Sequence, residues 1–215
     1  VGNEIWVTDG RFSFKAIDCN TQQIRTLFQI PDSLRPVHFS IKLPQPDGKG
    51  NIWVATDNSI YRISIKNNRV QTFPIFLSQI SHPKNVIVTD FSIQSSSNVL
   101  AVGTTLGMIL FDTEKYKAIA IKDDKKLVSN EDIWYIKAEK DYFLVANEKC
   151  PLIKVALNGK TVTPLLDKKV LDNDIHRGTR TACMYRDKWN RLWLSANGEY
   201  IAIIDFASRF IKKIA

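Results

Sequence analysis

Short runs of alternating apolar and polar residues cover most of the chain, and turn-forming residues separate them. The clearest stretch begins at residues 37–43, which alternate as a β-strand does, and continues into residues 45–50, where proline, aspartate and glycine favour a turn. Alternation returns at residues 52–56, 60–65 and 69–73, each behind a short polar turn. Helical periodicity is nearly absent, so the pattern predicts four consecutive hairpin-connected strands, A to D.

The same order of strands returns at a nearly constant spacing along the chain. Strand B carries Trp6, Trp53 and Trp193 in three copies, and Ala101 and Leu144 stand at the equivalent position in two others. The steps between these five residues are 47, 48, 43 and 49 residues. Four strands in each repeat of this length are typical of one blade of a β-propeller. The predicted innermost strands of three copies are residues 88–94, 130–138 and 180–186.

The repeat predicts an all-β fold, a partial β-propeller with four complete four-stranded antiparallel blades plus three strands of another. The first copy lacks strand A because Val1 lies at the start of its strand B. The predicted blades of this single propeller fragment, residues 1–215, are approximately residues 1–30, 31–76, 77–122, 123–168 and 169–215. Propellers protect their sheet edges by closing a ring. We therefore expect an open arc from a longer protein, or an arc that borrows edges from a neighbouring copy.

Two stretches of sequence carry a family resemblance. Residues 47–56 (DGKGNIWVAT), followed by residues 59–63 (SIYRI) and 70–73 (VQTF), resemble the two-component regulator propeller repeat. Residues 187–194 are similar, although Trp189 stands where that family usually has glycine. The third and fourth copies depart further, since they have lost the tryptophan.

Such repeats are typical of the periplasmic sensor region of hybrid two-component histidine kinases from gut Bacteroidetes. The resemblance implies an extracytoplasmic segment that senses a small extracellular ligand, often a glycan fragment. It also implies that the parent chain supplies further propeller and sandwich domains, the membrane span and the kinase, so that contact with the membrane is made only through the parent chain. None of the kinase machinery is present in these residues. A homodimer is left open.

Candidate ligand-binding residues lie on one predicted face of the blades. The loops that lead into strand A (residues 29–36, 75–85, 122–131 and 167–179) share that face with the turns between strands B and C. The candidates on or beside it are Arg11, Arg35, His38, His176, Arg177 and Arg180. Arginine holds a carboxylate or sulfate through two parallel hydrogen bonds, which favours an acidic oligosaccharide. Solvated loop charge is the alternative interpretation of each residue.

The positions of the aromatic residues and cysteines in the repeat predict their roles. Trp6, Trp53 and Trp193 are predicted to fill the space between neighbouring sheets. Trp134 lies on an innermost strand, where it or Tyr135 is a candidate platform for a sugar ring; core packing is the alternative. The three cysteines are odd in number and lack CxxC spacing, which argues against a disulfide framework, and Cys183 is expected in a buried strand.

The distribution of charge and the absence of known motifs argue against several classes of function. The net charge is +8, from 30 Lys and Arg against 22 Asp and Glu, but the signs interleave, as in residues 122–126 (KDDKK). A nucleic-acid surface needs clustered cations, so nucleic acid is not an expected partner. The sequence has no catalytic motif and its three histidines have no metal-ligand spacing, so we predict no enzyme activity, metal or cofactor. The alternatives are a protein-interaction propeller and, third, a propeller lyase.

Overall fold

The computed structural model describes most of the repeat pattern in atomic detail. The described residues are 3–8, 13–29, 42, 44–56, 59–67, 69–74, 86–147, 150, 152–165, 181–196, 200–208 and 210–214. These residues form β-strands and turns, with no helix among them, which confirms the all-β prediction. Within this described part, no helix is long and apolar enough to cross a membrane.

The strands fall into five sheets, which we call blades 1 to 5. Blade 1 contains β1 (Glu4–Thr8), β2 (Ser13–Asp18) and β3 (Ile24–Gln29). Blade 2 contains β4 (Gln45–Pro46), β5 (Asn51–Ala55), β6 (Ser59–Ser64) and β7 (Val70–Pro74). Blade 3 contains β8 (Val88–Gln94), β9 (Val99–Thr104), β10 (Gly107–Asp112) and β11 (Lys117–Ile119). Blade 4 contains β12 (Ile133–Ala138), β13 (Tyr142–Asn147), β14 (Ile153–Ala156) and β15 (Val162–Pro164). Blade 5 contains β16 (Thr181–Arg186), β17 (Leu192–Ala196), β18 (Tyr200–Asp205) and β19 (Phe210–Ile214).

Each blade is an antiparallel sheet whose strands lie side by side in chain order. Blade 1 has three described strands and each of the others has four. The chain divides into two compact units, Val1–Val88 and Thr89–Ala215. The expectation of an open arc stays a prediction, because each unit is described by itself.

Strand A of blade 2 ends later than the sequence predicts. Residues 37–41 lie outside the described part, but Gln45 and Pro46, assigned to a turn by sequence, pair with Trp53 and Ile52 in β5. The backbone N–H of Lys42 donates to the carbonyl of Ala55 at 2.9 Å. Proline is tolerated in β4 because an edge strand has backbone N–H groups that need no partner in the sheet.

In the first unit, blades 1 and 2 share one apolar core. Its buried members are Phe14, Ala16 and Leu27 of blade 1 together with Ile52, Val54, Tyr61 and Ile63 of blade 2. Trp6 packs against this core, with its ring centroid 6.0 Å from that of Phe14 in an edge-to-face arrangement. The rings of Phe28 and Tyr61 meet across the two blades at 5.6 Å.

In the second unit, one larger core joins blades 3, 4 and 5. Leu144, at the tryptophan position of blade 4, is fully buried in the same cluster as Leu192 and Leu194 of blade 5. Ala101, at the tryptophan position of blade 3, lies in this cluster with Ile133 and Ile136 of blade 4. In both units, therefore, the side of strand B that carries the tryptophan position packs towards the blade that follows.

Blades 3 and 4 approach each other so closely at one point that only glycine fits. A Cβ added to Gly103 in β9 would lie 2.7 Å from Cγ2 and 2.9 Å from Cβ of Ile133 in β12. Ile133 is fully buried and cannot move aside without disturbing its neighbours.

We expect Gly103→Ala to lower the free energy of unfolding by about 1–3 kcal/mol, because the added methyl group overpacks the contact with Ile133. Denaturant unfolding followed by circular dichroism measures the change. Thr163→Ala, at an exposed position of β15, is the matched control and should change stability by less than about 0.5 kcal/mol. Equal stability of the two variants would contradict the close packing of blades 3 and 4.

Candidate functional site

The loop that leads into strand A of blade 4 is held by one carboxylate. Asp123 accepts hydrogen bonds from the backbone N–H groups of Leu127, Val128 and Ser129 at 2.8, 2.8 and 2.9 Å, and from the Ser129 hydroxyl at 2.8 Å. Burial would raise the pKa of Asp123, but these hydrogen bonds outweigh it and lower the pKa. The loop therefore has one defined conformation built around a charged aspartate.

This loop lies beside the B–C turns of two blades. Met108 N–H donates to the Val128 carbonyl at 3.0 Å, next to the B–C turn of blade 3. At the end of strand B of blade 4, next to the B–C turn, the Asn147 side-chain amide donates to the Leu127 carbonyl. The loop into strand A and the two B–C turns thus share one side of these blades, as the repeat predicts, and we call this side the loop face.

Trp134 lies at an irregular point of the innermost strand of blade 4. Ile133 pairs with Asn147 and Tyr135 pairs with Ala146, so Trp134 is the extra residue of a β-bulge. A bulge turns a side chain out of the regular alternation, and bulges are common beside binding sites. Trp134 is partly buried and partly accessible. The bulge therefore places a partly accessible tryptophan at the start of the innermost strand, next to the loop face.

Tyr135, the alternative platform, is engaged within the protein. Its hydroxyl donates to the Met184 carbonyl of blade 5 at 3.3 Å. Burial, with smaller contributions from Cys183 and Asp90, raises the pKa of Tyr135 to about 12. The tyrosine therefore links two innermost strands as a neutral phenol, and Trp134 is the aromatic residue of this pair that is left for a ligand.

Polar side chains of β8 cover the backbone edge of β12. The Thr89 hydroxyl donates to the Ile133 carbonyl, and Gln94 donates to the Glu139 carbonyl at 2.6 Å. Asp90 accepts from Ile136 N–H at 2.6 Å, and Ser92 accepts from Ala138 N–H at 3.0 Å. The backbone groups along this edge of β12 are therefore already hydrogen-bonded. Contacts with a ligand on the loop face must come from side chains at the bulge and in the loops.

The other candidate ligand residues, Arg11, Arg35, His38, His176, Arg177 and Arg180, lie outside the described residues. Trp134 is the candidate that the structure places. Among the described residues, no group of three or more His, Cys, Asp or Glu side chains is arranged to hold a metal ion.

The turns between strands A and B in blades 2 and 5 share one hydrogen-bond network. Asp47 accepts from the backbone of Lys49 at 2.7 Å, and its second oxygen accepts from the Trp53 indole N–H at 3.3 Å. Asp187 does the same with the backbone of Trp189 at 3.0 Å and the Trp193 indole at 2.9 Å. The aspartate thus fixes both the turn and the side chain of the tryptophan six residues later.

The matching hydrogen bonds align the A–B turn of blade 5 with that of blade 2, residue by residue. Gly50 and Asn190 take the left-handed backbone conformation at equivalent points, with φ of 84° and 66°. Trp189 therefore stands at the place of Lys49 and not at that of the left-handed glycine. Asparagine tolerates this conformation better than other non-glycine residues, so the blade 5 turn forms without glycine.

The three repeat tryptophans differ in burial. Trp53 is 1% exposed, stacks on Phe73 with ring centroids 5.1 Å apart, and has Arg62 at 5.8 Å from its ring. Trp6 is half-buried and donates its indole N–H to Glu4, which Arg25 also binds. Trp193 is half-buried as well. Complete core packing is thus observed for Trp53 alone of the three.

Blade 5 carries a surface cavity that sequence reasoning missed. It has a volume of about 420 Å³ and is lined by Tyr185, Asp187, Lys188, Trp189 and Trp193. Tyr185 and Trp189 are 61% and 64% exposed. The signal available in the sequence was the aromatic pair itself, since blade 2 has Gln45 and Lys49 at the equivalent positions.

Cys183 is exposed, which contradicts its expected burial. In β16 it alternates with buried Met184, so it lies on the same side of the strand as Tyr185. Its strand was correctly predicted, but that side of blade 5 faces away from the core shared with blade 4. Cys150 is buried and Cys19 is exposed.

Comparison with known proteins gives a fold and not a family. No family model and no curated protein matches this chain. Among solved structures, the extracellular domain described as part of a hybrid two component system of B. thetaiotaomicron matches with a TM-score of 0.68 and 14% identity, over 98% of this chain and 28% of that one. The likeness shows the fold.

Two further structures agree. The extracellular domain described as part of a one component system of B. thetaiotaomicron matches with a TM-score of 0.64 and 13% identity, over 91% of this chain and 25% of that one. The computationally designed protein Ika8 matches with a TM-score of 0.65 and 11% identity, over 99% of this chain and 59% of that one. The chain spans less than a third of the two bacterial domains. Neither of those two is described as an enzyme.

We expect the Asp187 network to give stability that depends on pH. Burial alone would raise the pKa of this carboxyl group, but the hydrogen bonds from Trp193, Arg191 and Trp189 lower the pKa from 3.8 to about 2. A lowered folded-state pKa favours the native state above the unfolded-state pKa, and the contribution is lost as the pH falls through the folded-state value. The advantage of the wild type over Asp187→Asn should therefore be largest above about pH 4 and shrink towards pH 2.

Urea unfolding at a series of pH values, followed by tryptophan fluorescence, measures this difference. Asp124→Asn is the matched control, because its carboxylate is 78% exposed and lies 3.8 Å from Lys122 on the surface. The control should behave as the wild type throughout. A difference between wild type and Asp187→Asn that stays constant from pH 6 to pH 2 would contradict the assigned role of the charge.

Proposed function

We propose that this chain is an extracytoplasmic sensing segment of a hybrid two-component histidine kinase and that it responds to a small extracellular ligand, a glycan fragment. The observation that carries the proposal is the likeness, along 98% and 91% of the chain, to extracellular domains of two bacterial signalling systems. The resemblance of residues 47–56 and 187–194 to the two-component regulator propeller repeat supports it independently. A periplasmic location follows from the same proposal.

The ligand site of this proposal lies on the loop face. Trp134 offers a ring at a β-bulge, where the apolar side of a sugar can stack, and the loop held by Asp123 provides a fixed border. The cationic residues that the sequence offers as candidates remain the expected partners of acidic groups of the ligand.

Signal transfer in this proposal needs two arrangements of the sensor region with different affinities for the ligand. A ligand shifts such an equilibrium only by the difference between its two binding free energies. The rigid blades are suited to move as bodies, and the membrane-proximal domain of the parent chain would receive the change. The remaining domains of the parent chain and its oligomeric state belong to the same proposal.

A thermal-shift screen of the complete extracellular region against oligosaccharides tests the ligand. At a concentration 100 times Kd, a ligand stabilises the folded state by about 2.7 kcal/mol, which raises the Tm of the domain that binds it. Trp134→Ala should weaken binding about tenfold, since a ring contact contributes about 1–1.5 kcal/mol. Trp134→Phe should keep most of the affinity.

Trp189→Ala is the matched control. It removes an exposed tryptophan from an A–B turn, at the end of the blade opposite the loop face. It should leave ligand affinity unchanged. Absence of any shift across a broad panel would overturn the ligand proposal. A chain continuation without a membrane span and kinase core would overturn the assignment to a histidine kinase.

A further inference from the structure

The turn between strands C and D of blade 4 contains an Asn–Gly pair. Residues 157–160 (LNGK) connect β14 to β15, and Ala156 N–H donates to the Thr161 carbonyl at 3.0 Å across the base of the turn. Asn158 is exposed and Gly159 is buried. Gly159 takes the left-handed backbone conformation, with φ of 71°, which a tight hairpin turn needs. The pair therefore belongs to a turn of one defined conformation.

An asparagine that is followed by glycine reacts spontaneously in water. The backbone nitrogen of the glycine, after losing its proton, forms a bond to Cγ of the asparagine, and the side-chain nitrogen leaves as ammonia. Water then opens the succinimide ring that results. Opening at Cγ gives aspartate, and opening at the backbone carbonyl gives isoaspartate, whose main chain is longer by one carbon atom. Glycine favours the first step because it has no side chain to shield its nitrogen.

The turn holds the atom that is attacked in a favourable position. Asn158 Oδ1 accepts a hydrogen bond from Lys160 N–H at 3.0 Å. This bond fixes the side-chain carboxamide beside the main chain and polarises its carbonyl group, which makes Cγ easier to attack. The side chain is also open to the water that the second step consumes.

The same turn restrains the attacking nitrogen. Gly159 N–H donates to the Ala156 carbonyl at 2.9 Å, so its proton is held within the turn. The Gly159 carbonyl accepts from Lys122 N–H at 2.8 Å, which fixes the other side of the residue. Ring closure needs the nitrogen to lose its proton and turn towards Cγ, and both hydrogen bonds oppose this movement.

Residues 119–122, which connect blade 3 to the loop held by Asp123, leave Gly159 no free space. A Cβ added to Gly159 would collide with the Ala120 carbonyl oxygen and lie 3.3 Å from Cγ2 of Ile119. Gly159 is thus enclosed between its own turn and this connection. A main chain that is longer by one carbon atom does not fit there.

We propose that Asn158 is a site of isoaspartate formation and that the contact of Gly159 with residues 120–122 controls the rate. While the contact is intact, the reaction proceeds only after a local opening of the turn. Once it is lost, the glycine nitrogen is free beside a polarised Cγ. The isoaspartate product cannot restore the contact, so each converted chain keeps a record that its turn has opened. This modification goes beyond the proposed sensing function and does not depend on it.

Residue-specific conversion rates test the proposal. The protein is incubated in mildly alkaline buffer, either folded or unfolded in guanidinium chloride. Peptide mapping by liquid chromatography and mass spectrometry separates asparagine, aspartate and isoaspartate at residue 158. Asn197–Gly198, the second Asn–Gly pair of the sequence, is the internal reference in guanidinium chloride, where both pairs should react at similar rates. Folding should slow conversion of Asn158 at least about tenfold, since only the locally open fraction reacts.

Two substitutions at one position separate the backbone contact from the side chain. Lys122→Pro removes the N–H that binds the Gly159 carbonyl, whereas Lys122→Ala keeps it. The lysine side chain is 71% exposed, so the alanine variant should convert at the wild-type rate. The folded proline variant should convert several-fold faster in native buffer. Circular dichroism and Tm establish that it is folded. Hydrogen exchange at the Gly159 amide of the wild type needs no variant and should show protection.

Asn158→Asp separates the charge of the product from its main-chain length. This variant has the added carboxylate without the additional carbon atom, so it should keep the wild-type Tm and the protection of the Gly159 amide. The purified isoaspartate form should have a lower Tm and lose that protection.

The proposal is wrong if Asn158 converts as fast in the folded protein as in guanidinium chloride, or converts in neither. It is equally wrong if a folded Lys122→Pro variant converts no faster than Lys122→Ala. Free hydrogen exchange at the Gly159 amide of the wild type would also overturn it, because the nitrogen would then be unrestrained.

Discussion

Within each unit of this protein, the blades are held together by burying an apolar side of one sheet against the neighbouring sheet. A four-stranded antiparallel sheet of such short strands has too little core of its own, so the contact between sheets supplies most of the apolar burial. Phe14 against the blade 2 isoleucines, and Leu144 against the blade 5 leucines, are two examples of this contact. Gly103 shows how close the sheets come, since one methyl group would collide with Ile133.

This constraint explains what the sequence could predict. Spacing of the tryptophan positions located strand B in all five copies, because a short apolar run of strand length bounded by turns remains even where Ala101 and Leu144 replace tryptophan. The strand β8, Val88–Gln94, was predicted to the residue for the same reason. Local turn chemistry was less reliable. Pro46 pairs in a sheet edge because Asp47, not Pro46, begins the turn.

The candidate site was harder to predict, since it depends on contacts between distant residues. The sequence offered Trp134 and Tyr135 as equal alternatives, and only the hydrogen bond to Met184 in another blade separates them. The exposure of Cys183 and the cavity beside Trp193 depend on which side of blade 5 faces the core that it shares with blade 4. The alternation along a strand predicts which side chains lie on the same face of the sheet. It does not predict which other part of the protein, if any, packs against that face. The loop residues among the candidates lie beyond the described part of the chain.

The loop built around Asp123 has a consequence for any molecule that binds beside it. Its four hydrogen bonds to one carboxylate fix residues 127–129 before a ligand arrives. A loop that must become ordered on binding loses conformational entropy at that moment, which weakens the complex. Here that loss has already occurred during folding. The border of the loop face is thus pre-organised, and affinity there is set by the shape and charge of the ligand instead of by the freedom of the chain.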